Sequence, residues 1–224
     1  MLRFGIIGSG YMGRTLHRIP EAKLVAVSGG TRALALAKTY DIDFESRVED
    51  LLEREDIDVV AITTPHHLHA EVAIQALSQN KHVFVEKPLA TSVEDCNKMI
   101  SLAKEKNLAV AVGYHQRFRV NNLRAHQLIR EGSIGEIIAV QISMPMYAGA
   151  LRSGGFGGDW GWWNDKANLG HILNSAPHAV DLLRWFMDEE VLTVSAFSRT
   201  FLPEIRVEDT TMALLEFSNG AICS

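Results

Sequence analysis

The stretch LRFGIIGSGYMG, Leu2 to Gly13, decides how the chain is read. Its apolar half runs directly into Gly8-Ser9-Gly10-Tyr11-Met12-Gly13, a GxGxxG between a predicted strand, Leu2–Ile7, and a predicted helix, Tyr11–Ile19. In that setting the first glycine permits a tight turn, the second lets backbone approach a pyrophosphate, and the third lets helix pack close on strand. Unpaired N–H groups at the helix start then hold phosphate oxygens. Alone, the motif could be a packing turn, so its weight comes from what surrounds it.

Outward from this turn, short and nearly continuous apolar runs alternate with helical periodicity. Strands are predicted at Lys23–Ser28, Asp58–Thr63, His82–Val85 and Leu108–Val112, with helices at Thr31–Tyr40, His67–Gln79 and Ser92–Lys106. Ser92 followed by Asp95 reads as a helix cap. Continuous apolar strands separated by helices describe a parallel sheet covered on both faces. The fold class is therefore α/β, with a doubly wound dinucleotide-binding domain over residues 1–118.

The pattern changes in residues 119–224, the second domain. A helix is predicted at Asn121–Glu131 and a strand at Glu136–Met144, and the Gly- and Trp-rich stretch Pro145–Leu169 reads as a long loop. A helix over Pro177–Met187, with proline in its first turn, precedes strands at Val191–Phe201 and Thr210–Phe217. Asn219-Gly220 signals a hairpin, with Ala221–Ser224 left for the returning strand. A sheet that stops there exposes an edge of unpaired backbone groups. The expectation is a homo-oligomer in which a partner subunit completes this sheet, or a fragment of a longer chain.

Composition narrows the function classes. The 22 Lys and Arg against 27 Asp and Glu give a net charge of −5 with no basic block, which argues against nucleic acid as a partner. No apolar run approaches the roughly 18 residues of a membrane span, and the N-terminus reads as strand and turn rather than signal peptide. Cys96 and Cys223 are too few for a disulfide framework. A cytoplasmic chain is expected.

Three further places carry chemistry. An acidic residue about 20 residues beyond the glycine turn would hold an NAD ribose, and here that place reads Ser28-Gly29-Gly30-Thr31-Arg32. Thr31 and Arg32 suit a 2′-phosphate, which leans toward NADP over NAD; equally, Thr31 could cap the next helix. Glu86-Lys87-Pro88 follows the strand ending at Val85, at the carboxyl edge where open α/β sheets bind ligands. Pro88 biases Lys87 toward extended backbone, and a solvated surface lysine is the plain alternative. His178, behind Pro177 at a helix start, would be kept neutral by the positive end of the helix dipole, unless it only packs or caps.

On GIIGSGYMG, DVVAITTPHHLHAEVAIQAL, KHVFVEKPLA and the segment from Asn174 through His178 to Asp181, the whole chain resembles the Gfo/Idh/MocA oxidoreductases, the glucose-fructose oxidoreductase and inositol dehydrogenase relatives. The resemblance implies a Rossmann domain followed by an α+β domain with an open, mostly antiparallel sheet. It implies that NAD or NADP meets Gly8 to Gly13, Thr64, Pro65, His66, His69, Glu86 and Lys87. It further implies a substrate site lined by Lys87 and His178, with Asn174 where many members carry Asp; Arg117 and Trp160 are added to it from their own chemistry. The expected reaction is hydride transfer between a nicotinamide cofactor and a secondary alcohol of a sugar, cyclitol or similar polyol. His178 would take the hydroxyl proton, Lys87 would hydrogen-bond the same oxygen, and Asn174 would align a neighbouring hydroxyl. The alternatives are an NAD-dependent glycosidase and a non-catalytic dinucleotide-binding or truncated inactive member. Many members carry Asp where Asn174 stands, and Asn can orient a hydroxyl but accepts no proton.

The remaining clusters read more plainly. His66, His67 and His69 sit at a helix start and point in different directions, so no metal is expected. Trp160, Trp162, Trp163 and Tyr147 offer ring faces to a sugar, or to a core or subunit contact. Arg117, near the domain junction, would touch substrate or cofactor, or form an interdomain salt bridge. Asp181 is read as structural, capping or pairing with Arg184.

Overall fold

The computed structural model describes residues 1–10, 12–145 and 164–224, with backbone only for Arg14, Leu16, His17 and His171. Tyr11, Tyr147, Trp160, Trp162 and Trp163 lie outside the described residues. The chain forms two compact units, one over residues 1–113 and one from Tyr114 onward. Residues 114–118, expected with the first domain, group with the second.

In the first unit six parallel strands are β1 (Leu2–Ile7), β2 (Ala22–Ser28), β3 (Asp43–Glu45), β4 (Val59–Ile62), β5 (His82–Val85) and β6 (Val110–Val112), in the order β3-β2-β1-β4-β5-β6. Both faces are buried. Ile7, Val60, Ile62, Val83 and Val85 pack on one side with residues of α3 (His69–Ser78) and α4 (Val93–Glu105), while Ile6, Val27 and Ala61 meet α1 (Ala33–Tyr40) on the other. The strand order reverses beside β1, which places a crevice at the carboxyl ends of β1 and β4. Ser92 caps α4 as expected, its Oγ accepting the Asp95 N–H at 3.1 Å.

Two elements differ from expectation. The helix expected at Tyr11–Ile19 is a 3₁₀ stretch, Gly13–Arg18. Thr15 sends both its N–H and its hydroxyl to the Met12 carbonyl, at 2.9 and 2.7 Å, which tightens the turn. β3 and α2 (Val48–Glu53) were not foreseen. Arg54 ties this edge together through Asp43, Glu45 and Asp56 at 2.7 to 2.8 Å.

The second unit contains α5 (Val120–Arg130), β7 (Ala139–Val140), α6 (Gly170–Met187), β8 (Val191–Arg199), β9 (Thr210–Phe217) and β10 (Ile222–Cys223). Its four-stranded sheet runs β7-β10-β9-β8, antiparallel except for β7 with β10. The strand expected at Glu136–Met144 contracts to two residues, which pair with β10. The turn at Asn219-Gly220 forms as expected, with Gly220 at φ +85°. Leu183, Phe217, Ala221 and Cys223 make the core.

The helix expected at Pro177 begins seven residues earlier, at Gly170, so Pro177 lies inside it. Proline lacks an N–H and clashes with the preceding turn, which makes it look like a start. The actual start lies where Leu169 and Gly170 take positive φ, and Glu208 accepts the Ile172 N–H at 2.6 Å. Among the described residues no helix is long and apolar enough to cross a membrane.

Candidate functional site

At the carboxyl edge of the first unit, Gly8 has φ +107°, and a Cβ there would stand 2.7 Å from the Thr63 backbone. The Thr63 hydroxyl donates to the Gly8 carbonyl at 2.9 Å, lacing the loops after β1 and β4 together. Among the described residues, a Cβ at Gly10 would meet nothing within 4 Å, so this face of the turn leaves room for an approaching group. Ser9 Oγ accepts the Arg32 N–H at 3.1 Å, which binds the loop after β2 to the same turn. Arg32 occupies the cap position of α1 without a side-chain cap, so Thr31 does not cap this helix. The buried hydroxyls Ser28 Oγ and Thr64 Oγ1, at the ends of β2 and β4, have no hydrogen-bond partner among the described residues. Orphan polar atoms beside an open glycine turn fit a dinucleotide.

The loop after β5 carries Glu86, Lys87 and Pro88, with a cis Lys87-Pro88 peptide. Glu86 is 8% exposed, and its Oε2 accepts the Lys87 N–H at 3.2 Å. Burial lowers the Lys87 amine from its ordinary pKa, and the Glu86 carboxylate partly offsets this. Burial likewise raises the Glu86 carboxyl, with Lys87 opposing. Lys87 is therefore not a solvated surface lysine.

His66 is buried, and its ring lies edge-on to that of His69 at 5.7 Å. His69 is wholly buried, with Nδ1 2.7 Å from the Pro88 carbonyl and Nε2 2.9 Å from the Thr64 carbonyl. Both ring nitrogens face backbone oxygens, so His69 braces the two loops and has no ring nitrogen left for a cofactor.

In the second unit Asn174, His178, Asp181 and Trp185 share one face of α6, being three or four residues apart in sequence. The 3₁₀ stretch His115–Phe118 runs along that face. The His178 ring meets the His115 ring edge-to-face at 4.6 Å and the Tyr114 ring at 6.4 Å. Arg117 donates to both Asp181 oxygens at 2.7 and 2.6 Å, and its guanidinium lies 5.7 Å from the Trp185 ring. His126 stacks on the other ring system of this cluster, 4.0 Å from Trp185.

Three expectations change here. Asp181 pairs with Arg117, while Arg184 takes Glu190. The Arg117 ion pair lies within the second unit and is not an interdomain bridge. His178 is the ninth residue of an 18-residue helix, and the helix start is held by Glu208. The dipole argument for a neutral His178 therefore fails, because the effect fades within the first turn. His115, His126 and Trp185 were missed; the only local hint was that His115 follows the carboxyl end of β6.

Comparison with known proteins agrees with both units. Residues 2–114 match a model described as an oxidoreductase family with an NAD-binding Rossmann fold, and residues 122–224 match the GFO/IDH/MocA C-terminal domain. The chain is 28% identical over 263 residues to levoglucosan dehydrogenase of Pseudarthrobacter phenanthrenivorans, covering 100% of this chain and 66% of that protein. It is 34% identical over 232 residues to 2,7-anhydro-N-acetylneuraminate hydratase of Escherichia coli K12, covering 100% of this chain and 61% of that one. The chain thus spans under two thirds of the length of these curated relatives. A crystal structure of scyllo-inositol dehydrogenase from Lactobacillus casei, with bound NAD(H) and scyllo-inositol, superposes with a TM-score of 0.83 at 26% identity, covering 100% of this chain and 68% of that one. The chain belongs to the Gfo/Idh/MocA oxidoreductase family.

Proposed function

We propose that the chain acts as a dehydrogenase on a secondary alcohol of a sugar, cyclitol or related polyol. The observation that carries this reading is Lys87, a half-buried lysine whose backbone N–H is held by the buried Glu86 carboxyl at the carboxyl edge of the sheet. A bound nicotinamide dinucleotide supplies the two-electron acceptor. Gly8, Ser9, Gly10 and Gly13 would hold its pyrophosphate, with Thr64, Pro65, His66 and Glu86 beside it. Arg32 and the absence of a carboxylate over 28–32 favour NADP.

Lys87, as ammonium, hydrogen-bonds the reacting hydroxyl and stabilises negative charge growing on its oxygen. His178 removes the proton from that hydroxyl as general base. Asn174 orients a neighbouring hydroxyl, and Arg117 serves mainly to fix Asp181. The test is a screen of myo-inositol, scyllo-inositol and levoglucosan with NAD and with NADP, read as reduced dinucleotide. Turnover that His178→Ala abolishes supports the reading; none with any pair overturns it. The similarity to a hydratase favours a second reading, transient oxidation followed by elimination, which yields product with no net reduction of dinucleotide.

A further inference from the structure

We infer that His115 is the proton outlet of His178, an inference that rests on the function proposed above. A base that takes a proton at each turnover must return it to solvent before the next. One turn before His178 stands Asn174, which accepts no proton. One turn after it, Asp181 is 7% exposed and committed to the Arg117 guanidinium by two hydrogen bonds. A carboxylate paired in this way is a poor proton acceptor. Tyr114 is a phenol whose ordinary pKa is near 10, too high to pass a proton quickly at neutral pH.

His115 differs on each count. Its ring is in edge contact with His178 at 4.6 Å and an angle of 72°. It is exposed while His178 is half-buried. Like His178 it is an imidazole, a group that can take up one proton and release another. Gln116 Nε2 lies 3.4 Å from His115 Nε2. Among the described side chains, the other titratable groups along the 3₁₀ stretch and α6 are Tyr114, Arg117, Asp181 and Arg184, with His126 of α5 stacked on Trp185.

The balance closes. The alcohol O–H breaks and its proton goes to His178, while the C–H electron pair leaves as hydride for the nicotinamide dinucleotide. The proton passes from His178 to His115, directly after a ring rotation or through one water, and then to bulk water or buffer. Both rings end neutral.

A relay residue is dispensable for the first turnover and needed for the following ones. His115→Phe keeps a ring against His178 and removes the proton carrier. With NADP or NAD, whichever the unsubstituted chain reduces, and myo-inositol, scyllo-inositol or levoglucosan, rapid mixing is expected to show a first turnover within about twofold of the unsubstituted chain. Steady-state turnover falls by about 100-fold, the lower end of what a proton-transfer group contributes, and rises in proportion to added imidazole buffer. Unchanged steady-state turnover overturns the inference, and so does a slowed first turnover that imidazole does not restore, the mark of a packing role. Failure of the unsubstituted chain to reduce dinucleotide at all overturns the functional reading and the relay with it. A second readout needs no turnover: by NMR, the His178 ring signals are expected to inflect where His115 titrates, and this inflection vanishes in His115→Phe. A His178 curve identical in the two proteins overturns the inference.

Discussion

Substituting Lys87 by Met separates what this residue does in folding from what it does in chemistry. Methionine keeps the unbranched stem and removes the ammonium. If Lys87 donates to the developing alkoxide, its loss resembles removal of one oxyanion donor, about 10²–10³-fold in kcat, or ~3–4 kcal/mol. Dinucleotide binding, set by the glycine turn and the loop after β2, is retained. Folding responds through Glu86. Its carboxyl is already raised by burial, and Lys87 is the charge that opposes the rise. Without that charge, the carboxylate form becomes costlier still, so at neutral pH the variant loses about 1–2 kcal/mol, a partly compensated buried charge. The sign with pH follows from linkage. Glu86 has a folded pKa above its unfolded one, so the penalty is present above the folded pKa and disappears as pH falls through it. Initial rates, fluorescence titration with dinucleotide, and thermal melts from mildly alkaline to mildly acidic pH measure the three quantities. Turnover within tenfold of the unsubstituted chain refutes the role in charge stabilisation. A melting deficit that does not shrink on acidification refutes the account of Glu86.

Glu86→Gln removes the influence that raises the Lys87 amine, so the Lys87 pKa falls further. If activity needs the ammonium, its alkaline limb moves to lower pH in the rate profile, and an unmoved limb refutes the coupling. Arg32→Ala is expected to weaken NADP by about tenfold, one charge-assisted contact, with NAD unaffected in equilibrium titration; equal loss for both would remove Arg32 from the 2′-phosphate. Asp181→Asn leaves Arg117 with a weaker acceptor in place of a nearly buried carboxylate. It should cost about 1.5–3 kcal/mol, seen as a lower urea midpoint, with dinucleotide binding unchanged; an unshifted midpoint refutes the structural role of the pair.

How legible each part was depends on how far its cause lies along the chain. β1, β4 and β5 are buried on both faces, so their apolar runs are continuous and announce themselves, and the glycine turn follows β1 directly. β3 is an edge strand of Asp43, Phe44 and Glu45, held by Arg54 rather than by an apolar core, and no hydrophobic run marks it. Pro177 misled because its local preference is for a helix start, while the real start depends on Glu208, far along the chain. Lys87 was visible as a charged residue at the right edge, but the burial of its neighbour Glu86 was not. Glu86 lies over Gly113, where a Cβ would come within 2.9 Å of its Oε1, and His69 braces the loop from beneath through two backbone carbonyls. The same reasoning applies to the second histidine. The change at Asn174 can be read in the chain as the loss of a proton acceptor. Its counterpart cannot, since His115 stands in the aperiodic segment Gly113-Tyr114-His115-Gln116 and meets His178 only because that segment folds back along α6. A site that exchanges one proton path for another therefore records the loss locally and the replacement only in three dimensions.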